Sequence, residues 1–283
     1  MRWDQDYVSH AGKQDHIIAG FDVFGYEDAQ AVVRAAERAQ SPVLLMINRD
    51  ARRDLELVHW SALLHSLANE AKVPVGVHLD HCSDLEMVRY AIDAGFTSVM
   101  YDGSKLPLEE NIRNTIQVCE WAHKKGVQVE AELGNVPYDE LGETEIRFTS
   151  PKEVEQFCQQ TSADWLAVSV GNVHRLLGRK VDVDFHVLQQ IEAVCSVALV
   201  IHGASGLQDQ NFAPLRHSRV GKINVGTALR RAFGETLRQE VIDNPKTYDR
   251  QLLFQKPVAC VEETAYEIIT DLCQDHTVGR KMA

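Results

Sequence analysis

What most constrains this chain is a repeated alternation of eight short apolar runs, each followed by a stretch of helical periodicity. The runs occupy residues 16–23 (HIIAGFDV), 42–48 (PVLLMIN), 73–80 (VPVGVHLD), 97–103 (TSVMYDG), 127–133 (VQVEAEL), 165–171 (WLAVSVG), 198–204 (ALVIHGA) and 222–228 (KINVGTA). Most are apolar throughout rather than alternating, which predicts strands buried on both faces of a parallel sheet. The stretches between them carry helix punctuation. In SDLEMVRYAIDAG, Ser83 is the expected N-cap and Gly95 the expected terminator. In SPKEVEQFCQQT, Ser150 precedes Pro151 at the first helical position, with Glu153 at capping-box distance. Eight strand–helix units predict an α/β fold, the (β/α)8 TIM barrel. A doubly wound open sheet would carry a GxGxxG turn after its first strand, and that turn is absent. No linker-like tract interrupts the pattern, so one domain spanning 1–283 is expected, with an extra C-terminal helix over 258–276 and a frayed tail over 277–283.

Composition narrows the function classes. Lys plus Arg total 29 against 41 Asp plus Glu, a net charge of -12. That balance argues against a nucleic-acid partner, because such binding depends on neutralising phosphates. No apolar run is long enough for a membrane span, which takes about 18 residues or more. The N-terminus lacks signal-peptide character, so a cytoplasmic protein is expected. Six widely spaced cysteines with no CxxC pair read as reduced thiols that mostly fill the core.

In a barrel of this kind the chemistry gathers where the strands end. Polar groups fall there at six consecutive strands: His78-Leu79-Asp80-His81, Asp102-Gly103-Ser104, Glu130-Ala131-Glu132, Gly171-Asn172-Val173-His174, His202-Gly203-Ala204-Ser205-Gly206 and Asn224-Val225-Gly226-Thr227. His81, His174 and His202 supply three imidazoles, the donor set of a catalytic zinc site with an open fourth position. Glu132 is an alternate ligand or the acceptor of a ligand's ring N–H. Strand alternation turns Asp80 away from His81, placing it to act as an acid or base on a bound substrate, or to orient a ligand. His78, deeper in its strand, is expected to face the core or to support a ligand rather than to be one. The HGASG and NVGT segments read as phosphate cradles of backbone N–H groups, each opening a helix.

The stretches VHLDH, SVMYDGSKLPLEENI, VEAELG, LVIHGASG and KINVGTALRRAF closely resemble the class II, metal-dependent fructose-bisphosphate and tagatose-bisphosphate aldolases. The resemblance runs from AGFDV to NPKTYDRQLLFQKP, nearly the whole chain. It implies a zinc enzyme that reversibly cleaves a ketose bisphosphate into dihydroxyacetone phosphate and an aldehyde through a metal-stabilised enediolate. It puts the zinc ligands at His81, His174 and His202, a carboxylate near the metal at Glu132 and the proton donor at Asp80. The dihydroxyacetone phosphate site would lie at Gly203, Ala204, Ser205, Asn224, Val225, Gly226 and Thr227. The base for the carbon-bound proton falls on the loop after the fifth strand, at Glu140, with Asp139 and Glu143 as rivals. A monovalent cation near the phosphate or a second divalent site, and a homodimer or homotetramer, are also implied.

Four departures bear on the substrate. The first strand ends Gly20-Phe21-Asp22 where the family has AFN, and the second ends in Asn48, followed by Arg49 and Asp50, where a serine is usual. Arg175 follows His174 in place of glycine, and the strand-5 loop is short. Arg175 is a candidate cation for a phosphate, carboxylate or sulfonate, or else a side chain that points outward or blocks the phosphate site. The expectation is an aldolase of a ketose phosphate, with another anionic or non-phosphorylated ketose, or a non-catalytic metal-binding homologue, as the alternatives.

Overall fold

The computed structural model describes residues 3–53, 55–137, 147–173, 181–203 and 207–273. Eight strands, β1 (Ile18–Asp22), β2 (Val43–Ile47), β3 (Val75–Cys82), β4 (Ser98–Tyr101), β5 (Gln128–Leu133), β6 (Trp165–Val168), β7 (Ala198–Ile201) and β8 (Val220–Val225), close into a barrel in sequence order. Every neighbouring pair is parallel, and β1 pairs with β8 to complete the circle. Each of the eight apolar runs thus yields a strand, and the TIM barrel expected from their alternation is the fold observed. β3 extends two residues beyond its expected end.

Two apolar layers explain why the runs are continuous. The larger lies between barrel and helices and includes Phe21, Val77, Val99, Val129 and Ile223. The smaller fills the barrel's interior with Ile18, Leu44, Met46, Trp165, Ala167 and Val200. A short helix that the sequence reading did not foresee, α1 (Tyr7–Ala11), adds Val8 and Ala11 to this inner layer, with Trp3 and Tyr7 packed beside them. Asp6 accepts from the Trp165 indole N–H at 2.9 Å, fastening the plug to β6. Gly221 is needed here, because a Cβ would stand 2.2 Å from the Val8 carbonyl oxygen.

Outside the barrel run α2 (Tyr26–Ala39), α3 (Leu57–Glu70), α4 (Leu85–Asp93), α5 (Leu108–His123), α6 (Pro151–Gln160), α7 (Phe185–Glu192), α8 (Phe212–Arg216) and α9 (Thr227–Asp243). The expected cap of α4 shifts by one residue. Asp84, not Ser83, accepts from the N–H groups of Glu86 and Met87 at 2.9 and 3.3 Å, since an ionised carboxylate is the stronger acceptor at a helix N-terminus. Gly95 does end that helix, at φ +93°. Ser150 caps α6 by position but makes no side-chain capping bond, and Glu153 lies 3.9 Å from Arg147 instead. The C-terminal helix α10 (Arg250–Cys273) begins before its expected start and passes through Pro257. It buries Val261, Ala265, Ile269 and Leu272, a helical stripe packed outside the barrel. Arg38 of α2 bridges to its Glu262 and Glu263 at 3.0 and 2.9 Å. All six cysteines are free thiols; Cys82, Cys119 and Cys195 are buried. Among the described residues no helix is long and apolar enough to cross a membrane.

Candidate metal centre

The site begins with an irregularity in β3. Its pairing with β4 slips between Leu79 and Cys82, and within the slip His81 takes a left-handed backbone at φ +43°. Regular alternation would point Asp80 and His81 to opposite faces; a bulge re-aims one of them. Ligand atoms of Asp80, His81 and His202 consequently lie within 4.8 Å of one another, as do those of His81, Asp102 and Glu132. The opposed directions expected for Asp80 and His81 are corrected by this turn.

His81 and His202 are each oriented by a carboxylate. His81 donates from Nδ1 to Asp102 at 3.0 Å, which places the ring's lone pair on Nε2. Asp102 also accepts from the Ser104 hydroxyl and backbone N–H, at 2.6 and 3.2 Å. Burial pushes the Asp102 carboxyl up, but the His81 and Ser104 bonds outweigh it and hold it well below the ordinary carboxylate range. On the far side, His202 donates from Nε2 to Glu130 at 2.8 Å, which places its lone pair on Nδ1. The two rings meet edge to face, centroids 4.6 Å apart.

Glu132 stands between them, its Oε2 3.7 Å from His81 Nδ1 and 3.8 Å from His202 Nδ1. That oxygen is buried with no hydrogen-bond partner among the described residues. Burial and the charge of Asp102 push the Glu132 carboxyl well above its usual range. A buried carboxylate without a donor, facing two imidazoles, suits a divalent cation. The residues present therefore fit a metal, with His81, His202 and Glu132 as its donors and Asp80 close beside them.

Beneath His202 lies a polar column that the sequence reading left without roles. Glu130 accepts from Lys222 Nζ at 2.6 Å, and Lys222 lies 3.3 Å from His78 Nε2. His78 Nδ1 is 2.8 Å from the Ser98 hydroxyl. Lys222 can only donate, so His78 accepts at Nε2 and gives its Nδ1–H to Ser98. Burial and the Lys222 charge lower the His78 imidazole to about 3. Burial raises the Glu130 carboxyl, yet the Lys222 charge and the His202 bond more than reverse this. His78 faces the interior as expected. Glu130 and Lys222 could have been suspected, since each is a charge two residues below a rim polar group on the same strand face (Glu132 and Asn224).

Asp80 accepts from the Asn224 amide at 2.9 Å, both side chains being buried. Gly226 caps α9, and Thr227 begins it, so this rim presents a helix N-terminus. A Cβ at Gly226 would lie 2.4 Å from Asp22 Oδ2, so the glycine admits that carboxylate. The Val225 side chain belongs to the outer apolar layer, which leaves only its backbone to face a ligand. Gly203 follows His202 at φ +68°. Glu140 with its rivals Asp139 and Glu143, and His174, Arg175, Ala204 and Ser205, lie outside the described residues.

Comparison with known proteins agrees with this arrangement. A family model described as class II fructose-bisphosphate aldolase matches residues 4–277. The chain is 35% identical over 257 residues to a fructose-bisphosphate aldolase of Geobacillus stearothermophilus, 87% of each chain being covered. It is 33% identical over 245 residues to a sulfofructosephosphate aldolase of Alkalicoccus urumqiensis, with 85% of each covered. The crystal structure of the YdjI aldolase from Escherichia coli superposes with a TM-score of 0.82 at 31% identity, covering 94% of this chain and 95% of that one. With its closed barrel and carboxylate-oriented histidines, this chain belongs to the class II fructose-bisphosphate aldolase family, whose members are metal-dependent carbon–carbon lyases.

Proposed function

We propose that the protein is a zinc-dependent aldolase that reversibly cleaves a ketose phosphate into dihydroxyacetone phosphate and an aldehyde. The observation that carries the reading is the convergence of Asp80, His81 and His202 within 4.8 Å at the strand ends. His81 and His202, with His174, would hold the ion, and Glu132 would face it. A divalent ion there supplies Lewis-acid polarisation of a ketose carbonyl. The names of two relatives, fructose-bisphosphate aldolase and sulfofructosephosphate aldolase, support a phosphorylated ketose as substrate.

The chain's own residues divide the remaining work. Asp102 and Glu130 fix the ring orientations of His81 and His202, so that each lone pair is set before anything binds. Asp80, steadied by Asn224, moves the proton at the oxygen that becomes the aldehyde, a general acid–base role. Glu140 is the proposed base at the carbon of the dihydroxyacetone phosphate half. The N-terminus of α9, with Gly203 to Ser205, binds the phosphate. A cytoplasmic homodimer or homotetramer completes the proposal.

Assaying aldol cleavage across several ketose phosphates, with and without chelator, tests it. Activity is expected to vanish on metal removal and return with zinc; activity that survives chelation refutes the mechanism. Asp80→Ala is expected to lower cleavage about 10²–10⁴-fold while metal content holds.

A further inference from the structure

Away from the metal centre, two cysteine sulfurs stand in contact, and the proposed reaction uses neither. Cys158 lies in the last turn of α6, and Cys195 follows α7 just before β7. Their Sγ atoms are 3.8 Å apart, against roughly 2 Å in a disulfide. Both are free thiols. Cys195 is buried, whereas Cys158 keeps part of its surface in solvent. A partly exposed cysteine is open to reagents in a way that a core-filling one is not.

The surroundings favour a thiolate at Cys158. The Ser196 backbone N–H donates to its sulfur, and the Arg219 guanidinium adds positive charge nearby. Arg219 is held there by a 2.9 Å bond from Nη2 to the Ser196 carbonyl. The bond with Cys195, helped by these two groups, outweighs burial and draws the Cys158 thiol below its ordinary range. The same bond, together with burial, pushes the Cys195 thiol up. A thiolate only accepts, so Cys195 is the donor of the pair. By contrast, burial lifts Cys119 to about 12 and also raises Cys273. One sulfur is thus set to attack, and its protonated neighbour is sheltered behind it.

We infer that Cys158 and Cys195 are a redox pair that a hydroperoxide converts into a reversible disulfide. In the first step the Cys158 thiolate attacks a peroxide oxygen. An S–O bond forms, the O–O bond breaks, and the departing hydroxide takes the proton that Cys158 had released, leaving a sulfenic acid. The Cys195 sulfur then attacks the Cys158 sulfur, so that an S–S bond replaces the S–O bond and the Cys195 proton leaves with hydroxide as water. With hydrogen peroxide, two thiols and one peroxide give one disulfide and two waters, the sulfurs losing the two electrons that the peroxide gains. Rotation about the Cα–Cβ bonds closes the remaining gap, and a dithiol reverses the bridge by exchange. The bridge ties α6 to the turn that feeds β7, at the opposite end of that strand from His202.

The test treats the full-length protein with stoichiometric hydrogen peroxide at neutral pH, quenches by alkylation and maps all six cysteines by peptide mass spectrometry. Cys158 and Cys195 are expected to vanish together into one cross-linked peptide pair, lighter by two hydrogens, and dithiothreitol should restore both. Their loss should run at least about tenfold faster than modification of the other cysteines, the advantage of a larger thiolate fraction. Cys195→Ser should stop at a sulfenic acid on Cys158, captured by dimedone, and Cys158→Ser should leave Cys195 unmodified over the same interval. A sulfenic acid that accumulates on Cys158 of wild type without cross-linking would mean that the sulfurs do not meet. Oxidation of all the cysteines at similar rates would mean that Cys158 is not activated. Either result overturns the assignment, and the wild-type map decides both points whether or not the variants fold.

Discussion

The two sides of the candidate metal centre solve one problem in different ways. His81 leans on Asp102, whose side chain is 23% exposed and whose charge is held by the His81 bond and by Ser104. His202 leans on Glu130, which is fully buried and keeps its charge only beside Lys222, with His78 and Ser98 below. A carboxylate at the rim needs a hydroxyl, whereas one at depth needs a cation of its own and a chain of donors behind it. Orientation of a ligand is therefore cheap near water and, deeper in the barrel, is built into the stability of the fold.

The largest effect should come from breaking the deep side. Lys222→Met leaves Glu130 as a buried charge without its cation and is expected to cost about 3–5 kcal/mol in denaturant unfolding. The double variant Lys222→Met/Glu130→Gln should recover much of that loss, and a strictly additive cycle would show that the pair is not coupled. Next come the orienting carboxylates themselves. Asp102→Asn and Glu130→Gln should each weaken metal binding about 10–100-fold, read by competition with a chelator. Only Glu130→Gln should also lower the melting temperature of the metal-free protein; equal melting temperatures would erase the distinction between the two sides.

The smallest effect concerns Glu132, which faces both histidines. Its folded pKa lies above the ordinary value of 4.5, so below that value it is protonated whether folded or not and adds no penalty. As pH rises, the unfolded chain releases the proton more readily than the native one, and native stability falls. Metal-free Glu132→Gln should therefore melt above wild type at neutral pH, with the gain disappearing below about pH 4. A gain that persists in acid would place the cause elsewhere.

Much of this was legible in the residues. The eight runs were readable as strands because strands buried on both faces have no reason to carry polar residues, and rim residues such as Asp80 and His202 marked where they end. The bulge at His81 was not legible, because nothing in VHLDH shows that pairing slips there; the slip, and not alternation, brings Asp80 and His81 together. Lys222 read as the start of a strand, and its ion pair with Glu130 joins residues 92 apart. The plug formed by Trp3 and α1 has no sequence signature of its own, since five helical residues carry too little periodicity to recognise.

That plug has a kinetic consequence. With Val8, Ala11 and Tyr7 stoppering one end of the barrel, the proposed ion and substrate would share the opposite mouth. A shared doorway would form a queue, in which a seated substrate would bar the departure of the ion behind it. A chelator should then strip the resting protein faster than one crowded with product.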